Sequence, residues 1–280
     1  MRRNLLYSVY ATKHTRAWLD NVERLSLYRD TFPRQRLVIV RSDATTVEPE
    51  RVEEAFKGWD GVEFIHRTNN AQLGEVDGFL EALGRLQSTR TDEATFYAHT
   101  KGVKYAAGHR MLPNIQTWRD AMYDYCLSVP ARIDAVLDGG KYACAGAFKS
   151  HHGVTGWHYS GNFWWVNHAR LWGSDRWRSV LQNYYGVENY LGGVFGAREA
   201  FCLAFEDGPV EHLYLPLLMF CGTCQKVKEQ VPHWVGGNAT GPCGVCGEAM
   251  LACRKSEVSK ALKQLRKADR RKARSLRFSL

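Results

Sequence analysis

Short apolar runs alternate with amphipathic segments over the first two hundred residues of the chain. Strands are predicted at 5–10, 37–40, 62–66 and 94–98, with helical segments between them, and 37–40 is a short apolar run of the kind buried in parallel sheets. The clearest helical segment has hydrophobic residues three and four positions apart: Val76, Phe79, Leu80, Leu83 and Leu86. Strand and helix alternating at this pace predict βαβ units. We therefore expect an α/β fold whose mostly parallel sheet is covered by helices on both faces.

The second half of the chain is less regular and richer in aromatic residues. A helix is predicted at 118–127, and strands are predicted at 141–148 and 159–166. Glycine, proline and cysteine dominate from about Pro216 to Cys253. We therefore predict a large domain at 1–215, a small domain at 216–253 and a tail at 254–280. No apolar run approaches the ~20 residues that a membrane-spanning helix needs, which predicts no membrane span.

The net charge of +9 lies entirely in the predicted tail, which holds eleven basic and two acidic residues. The remainder of the chain is neutral, so attraction to polyanions is expected from the tail alone. The tail is also helix-prone, with Val258, Leu262 and Leu265 on one side. Two interpretations stay open: a helix that binds nucleic acid, or a solvated basic helix.

Five of the eight cysteines cluster near the C-terminus. Four of them form two CxxC pairs eighteen residues apart, a spacing typical of a zinc ribbon; they are Cys221, Cys224, Cys243 and Cys246. Each glycine-containing CxxC turn supplies two thiolates to a tetrahedral ion. Cys253 and His233 are alternative ligands. The set leaves no open coordination position, so we expect a structural zinc in a reducing compartment.

Ligands of parallel α/β sheets bind beyond the carboxyl ends of the strands. The residues at these ends are predicted to be Thr12, Asp43 and the segment 99–101. A His-Thr-Lys-Gly turn there is a poor choice for packing, which favours a functional role for Lys101 over that of a surface lysine.

Four motifs in the body carry a resemblance to known proteins. They are Tyr97-Ala-His-Thr-Lys-Gly102, Trp118-Arg119, His158-Tyr-Ser-Gly-Asn-Phe-Trp-Trp165 and Tyr185-x-x-Glu188. In these motifs the chain resembles a family of glycosyltransferase-like proteins of bacteria and phages, over residues 5–207. The resemblance implies a GT-A-like fold, a Rossmann-like sheet that binds a nucleotide at its first strands and an acceptor in its second half. The predicted ribbon and tail lie outside it.

The resemblance also implies a donor side. Thr12 and Asp43 would contact the nucleotide, and His99 and Lys101 stand where many GT-A enzymes carry a metal-binding Asp-x-Asp. That motif is absent here, which leaves dependence on Mn²⁺ or Mg²⁺ open. The charge of Lys101 would neutralise the leaving diphosphate in place of a metal.

On the acceptor side, an inverting transfer needs a base for the acceptor hydroxyl. Glu188 is the first candidate, followed by Asp207 and Asp120. Polar and aromatic residues of the motifs are candidates for sugar contacts: Trp118, Arg119, His158, Ser160, Asn162, Trp164 and Trp165. The alternative interpretation is that the aromatic members of 158–165 are core residues, for one of the two tryptophans at least.

The sequence thus predicts a glycosyltransferase that moves a sugar from a nucleotide-sugar donor to an acceptor hydroxyl. The acceptor would be a polysaccharide, a protein or a hydroxymethylated DNA base. The expected location is cytoplasmic, in the host if the chain is viral. The alternative is a non-catalytic protein whose ribbon and tail bind nucleic acid or a partner.

Overall fold

A computed structural model describes residues 1–88, 90–109, 112–151, 154–204 and 206, without the side chains of 113 and 114. It also describes the backbone of three short strands nearer the C-terminus. The chain divides into two compact units, Met1–Val210 and Glu211–Leu280, where the sequence predicted a boundary at 216. Among the described residues, no helix is both long enough and apolar enough to cross a bilayer.

The first unit is built on a seven-stranded sheet. Its strands are β1 (Arg2–Tyr10), β2 (Arg36–Ser42), β3 (Val62–Thr68), β4 (Glu93–His99), β5 (Cys144–Ala147), β8 (Trp164–Asn167) and β9 (Ala200–Ala204). A separate two-stranded ribbon pairs β6 (Lys149–Ser150) with β7 (His158–Tyr159). The sheet order is β3-β2-β1-β4-β8-β5-β9, and only β8 runs antiparallel to its neighbours. The predicted α/β class with a mostly parallel sheet is therefore confirmed.

Helices cover both faces of this sheet. One face carries α1 (Ala17–Ser26), α2 (Pro49–Ala55), α4 (Leu112–Leu127) and α5 (Pro130–Asp138), which contact one another. The opposite face carries α3 (Phe79–Arg85), α6 (His168–Trp172) and α7 (Tyr190–Val194), which share one hydrophobic cluster. Short 3-10 helices lie at Arg29–Thr31, Gly74–Val76, Asp175–Arg178 and Ala197–Glu199.

The predicted helix at 76–86 is interrupted. Val76 ends a 3-10 helix, Gly78 has a φ of +81°, and α3 begins only at Phe79. A Cβ atom on Gly78 would lie 3.1 Å from Cγ of Arg67, so glycine suits both the conformation and the space. The break separates the 3-10 helix from α3.

The predicted strand at 159–166 is also wrong as a single element. Strand β7 ends at Tyr159 and β8 begins at Trp164, with a turn between them. Two residues of the turn have positive φ, +91° at Gly161 and +64° at Asn162. A strand cannot contain this conformation, so the motif folds back on itself.

Trp164 and Trp165 lie on opposite faces of the sheet, as successive strand residues must. Trp164 is 1% exposed and stacks on Tyr97, with ring centroids 4.9 Å apart. Trp165 is 0% exposed and packs against Phe32 and Phe96. Both tryptophans therefore belong to the core, which corrects the expectation that one of them stacks on a sugar.

His168 is a buried ionisable residue between the sheet and α6. Its Nε2 lies 2.7 Å from Oγ1 of Thr95, and its Nδ1 lies 3.5 Å from Oε2 of Glu93. Burial lowers the pKa of His168 to about 4, although Glu93 acts in the opposite direction. Between about pH 4 and pH 6.5, the folded chain therefore holds a neutral imidazole, whereas the unfolded chain binds a proton at this residue.

We expect His168 to weaken the fold as the pH falls. Because its folded pKa lies below its unfolded value of about 6.5, its contribution is intact above pH 6.5 and is lost towards pH 4. By pH 5 the loss should reach about 2 kcal/mol. Urea unfolding at pH 7.5 and pH 5 should show a smaller loss of stability in His168→Gln than in the wild type. The exposed His14 gives a matched control, and equal pH dependence in H168Q and H14Q would contradict the prediction.

The second unit contains a small antiparallel sheet in the order β11-β10-β12. Strand β10 (Leu217–Phe220) pairs with β11 (Val227–Lys228) and with β12 (Leu251–Arg254). The four predicted zinc ligands, and the predicted tail beyond Arg254, lie outside the described residues.

Candidate functional site

The strand order places a topological switch point between β1 and β4. The chain passes from β1 to β2 and β3 through α1 and α2, and then crosses to the other face through α3 to reach β4. In open α/β sheets, ligands bind in the crevice beyond the carboxyl ends of the strands at such a point. The parallel register aligns Ser8 with His99 and Tyr10 with Arg41, so the three strand ends meet at one edge.

His99 ends β4 and lies between two acceptor oxygens. Its Nδ1 is 2.7 Å from Oε1 of Glu75, and its Nε2 is 3.0 Å from the backbone oxygen of Gly161. Each ring nitrogen therefore faces an acceptor oxygen. The geometry holds the His99 ring between the Glu75 carboxylate and the Gly161 turn.

Glu75 lies in the 3-10 helix Gly74–Val76 and is fully engaged. Its Oε2 accepts hydrogen bonds from Tyr97 Oη at 2.8 Å and from Asn162 Nδ2 at 2.7 Å, while Oε1 contacts His99. Burial alone would raise the pKa of Glu75, but the charges of His99 and Arg41 and the bond from Tyr97 lower it to about 2. Glu75 therefore stays ionised and positions His99.

The turn at Gly161 joins the parts of the site. Its carbonyl oxygen faces His99, and its amide donates to Oε1 of Glu188 at 3.0 Å. A Cβ atom at Gly161 would come within 2.4 Å of Sδ of Met122 and 2.8 Å of Cζ2 of Trp118. Glycine therefore permits both the positive φ and the close approach of this turn to α4.

Lys101 lies beside this turn. Its Nζ is 4.0 Å from the centroid of the Trp118 ring, a cation–π contact. Its backbone is held by Asn21, which accepts from the Lys101 amide and donates to the Lys101 carbonyl. Burial lowers the pKa of Lys101, and the carboxylates of Glu188 and Glu75 act in the opposite direction. We call Glu75, His99, Lys101, Gly161 and Glu188 the polar centre.

The two residues predicted to contact the nucleotide have different environments. Thr12 is 2% exposed, and its hydroxyl donates to the Val103 carbonyl at 3.0 Å, so its hydroxyl hydrogen is used within the protein. Asp43 is half-buried and accepts hydrogen bonds from Tyr10, Thr45 and Asn69. Burial opposes its ionisation, but these bonds lower the pKa of Asp43 to about 2. Both residues organise the loops at this edge.

Asn162 is 3% exposed and was predicted to contact a sugar. Its amide nitrogen donates to Glu75, and its Oδ1 accepts from Nε1 of Trp164 at 2.7 Å. The side chain links the core to the polar centre, which corrects the predicted role.

His158 is partly exposed, with Nε2 3.2 Å from Oγ of the buried Ser160. Of His158 and Ser160, both predicted to contact a sugar, only His158 is appreciably exposed.

Asp120 and its neighbour Arg119 form an ion pair in α4, with Nη2 and Oδ1 2.7 Å apart. Asp120 also lies 3.9 Å from Nε of Arg24 in α1. These contacts tie Asp120 to the interface of α1 and α4, and no contact joins it to the polar centre among the described residues. The structure therefore gives no support to Asp120 as a base. Asp207 lies outside the described residues.

The sequence pattern did not single out Glu75 or Arg41. Glu75 follows β3, and Arg41 is the penultimate residue of β2. The rule that pointed to residues after β1, β2 and β4 applies to the segment after β3 as well, and that segment contains Glu75. Its pairing with His99 joins residues that are far apart in the sequence.

Within the part of the chain that the structure describes, no three His, Cys, Asp or Glu side chains are grouped so as to hold a metal ion. A comparison with models of known protein families finds no match, and neither does a search of curated proteins.

Proposed function

We propose that the chain is a glycosyltransferase with a GT-A-like first unit, which moves a sugar from a nucleotide-sugar donor to an acceptor hydroxyl. The observation that carries the proposal is the convergence of a histidine, a lysine and a carboxylate around Gly161 at the switch point. His99, Lys101 and Glu188 meet there from β4 and from the segment before α7. A parallel first half joined to a mixed second half is also the arrangement expected of a GT-A-like domain.

The donor side of the proposal rests on Lys101. A leaving diphosphate gains negative charge as the glycosidic bond breaks, and a positioned cation stabilises that charge. Glu188 and Glu75 act on Lys101 electrostatically, but neither forms a salt bridge with it among the described residues, and in this proposal Lys101 acts on the diphosphate. The Trp118 ring and the two bonds to Asn21 restrict where the ammonium group can move.

The acceptor side rests on Glu188. Glu75 has three hydrogen-bond partners, whereas the described residues give the Glu188 carboxylate one bond, from the Gly161 amide. A carboxylate held at one oxygen retains lone pairs for another proton. In this proposal, Glu188 accepts the proton of the attacking hydroxyl.

The test is donor turnover by the purified full-length chain. A panel of nucleotide sugars is incubated with the protein, and binding, release of nucleoside diphosphate and transfer to added acceptors are measured. Turnover of one donor, lost in Lys101→Ala, would support the proposal. Absence of binding and of hydrolysis for every donor would overturn it.

We also propose a structural zinc ion held by the two CxxC pairs of the second unit. Antiparallel β10 and β11 align Phe220 with Val227, and the segment 221–226 that joins them carries the first pair. The second pair precedes β12, the other neighbour of β10. Two CxxC pairs in sequence segments that precede strands of a small antiparallel sheet fit a zinc ribbon, and thiolates are the ligands that structural zinc prefers.

The purified chain should therefore contain one zinc ion. Structural zinc contributes about 10–16 kcal/mol of binding free energy in zinc-finger peptides, so the ion should survive gel filtration. Elemental analysis should find zinc in the wild type and little in a Cys221→Ser, Cys243→Ser double variant. Cys202→Ser is the control, since Cys202 is a free cysteine in β9, and it should retain the metal. Zinc-free wild-type protein from zinc-supplemented culture would refute this site.

A further inference from the structure

Arg41 is a buried cation that the polar centre does not use. It lies near the carboxyl end of β2 and is 7% exposed. Its Nε is buried without a hydrogen-bond partner, and no hydrogen bond or ion pair to its guanidinium is formed by the described residues. Its guanidinium contacts the ring of Tyr10, whose centroid lies 5.4 Å from Cζ.

Asp43 and Glu75, two carboxylates at this edge of the sheet, form their hydrogen bonds with other residues. Asp43, two residues away, accepts its hydrogen bonds from Tyr10, Thr45 and Asn69. The oxygens of Glu75 are taken up by other partners, so Arg41 acts on that carboxylate through space. A guanidinium whose Nε is buried without an acceptor is unfavourable in itself, so a ligand that supplies acceptor oxygens would relieve it.

Arg41 faces the same side of the sheet as the polar centre. In β2 it is two residues beyond Ile39, and in β4 His99 is two residues beyond Tyr97, while Ile39 and Tyr97 share one core cluster. Strand β1 lies between them, so Arg41 and His99 flank the switch point. A guanidinium and an imidazole on either side of one strand end suit the binding of an extended anion.

We propose that Arg41 binds a phosphate group of the ligand at this edge of the sheet. Its planar fork of donors matches phosphate oxygens, and Tyr10 supports one face of the guanidinium. The proposal rests on the proposed function for the identity of the ligand, a nucleoside diphosphate, but its chemistry applies equally to inorganic pyrophosphate.

The experiment measures binding of nucleoside diphosphates, the matching nucleosides and inorganic pyrophosphate by calorimetry and by thermal shift. In Arg41→Met, affinity for the diphosphate that the wild type binds should fall about tenfold to hundredfold, while affinity for the nucleoside stays the same. The affinity of Arg41→Lys for the diphosphate should lie between those of the wild type and Arg41→Met. The melting temperature without ligand should be unchanged or higher in R41M, because an unpaired buried charge has been removed.

Arg67 provides a matched control on the neighbouring strand. It is aligned with Arg41 in the sheet, but it is paired with Glu81 and bonded to the His66 carbonyl. Arg67→Met should leave diphosphate affinity unchanged. This comparison separates a ligand contact from a general loss of positive charge at this edge.

Each outcome decides one of the two proposals. Diphosphate binding that R41M leaves intact would overturn the role of Arg41 and spare the proposed function. An equal loss for the nucleoside would place Arg41 at the base and also overturn it. Pyrophosphate stabilisation that R41M abolishes, without any nucleotide binding, would support the phosphate site and count against the glycosyltransferase. No response of the wild type to any of these probes would refute both.

Discussion

Replacing Trp164 with alanine should lower the free energy of unfolding of the first unit by about 3–5 kcal/mol, the range for truncation of a buried tryptophan. Trp164 is 1% exposed and contacts the rings of Tyr97, Phe79 and Tyr190. The variant also leaves Oδ1 of Asn162 without its donor, which adds about 1–3 kcal/mol if water does not replace it. The free energy of unfolding of a folded domain is only about 5–15 kcal/mol, so Trp164→Ala should remove much of it.

Urea unfolding followed by far-UV circular dichroism measures this loss. Tyr185→Ala is the control, since Tyr185 is 61% exposed and its truncation should change stability by less than about 0.5 kcal/mol. The loss of stability in Trp164→Phe should lie between the losses in Trp164→Ala and Tyr185→Ala. A loss below about 1 kcal/mol in W164A would mean that the ring is not in the core. The sugar-stacking role considered for this residue would then be open again.

The parallel half of the sheet could be predicted from the sequence because its signal is local. The segments at 5–10, 37–40, 62–66 and 94–98 are short and separated by helical patterns, and each lies inside an observed strand. Three of them are mostly apolar, as expected of strands buried on both faces, whereas the edge strand β3 has exposed residues. The order of the strands depends on contacts between distant segments, which no local pattern contains.

The aromatic segment 158–165 shows where local patterns fail. Its residues have the composition of one continuous strand, but Gly161 and Asn162 adopt positive φ and divide it. Glycine and asparagine tolerate that conformation, so the turn could be suspected but not located. Whether a tryptophan beside such a turn faces the core or a ligand depends on Phe79, Tyr97 and Tyr190, which come from elsewhere in the chain.

The polar centre was predicted in part for the same reason. His99 and Lys101 follow a strand that the sequence reveals, so the edge rule finds them. Glu75 belongs to a segment that resembled the start of a helix, and its role follows from its contact with His99. His99 and Lys101 could be predicted from a strand end, whereas the carboxylate that positions His99 required the tertiary structure.

Replacing Glu188 with glutamine should lower kcat for sugar transfer by about 10²–10⁴-fold, the range for loss of a general base. The amide keeps an oxygen that can accept from the Gly161 amide, so the turn should be retained while the proton acceptor is lost. The KM for the donor should change little, because the donor side is assigned to Lys101 and His99. Steady-state rates of diphosphate release and of product formation, measured against donor concentration, separate these two effects.

Glu199→Gln is the matched control for this substitution. Glu199 pairs with Arg170 and bonds its own turn at Gly196, in the 3-10 helix before β9. The Glu199→Gln substitution should leave kcat for sugar transfer unchanged. If E188Q instead raises KM for the donor and preserves kcat, Glu188 acts by holding Lys101 and the Gly161 turn in place, and the base must be sought elsewhere. A fall in kcat with unchanged stability and donor affinity would assign the proton transfer to Glu188, because the hydrogen bond is conserved in the variant and only the charge is lost.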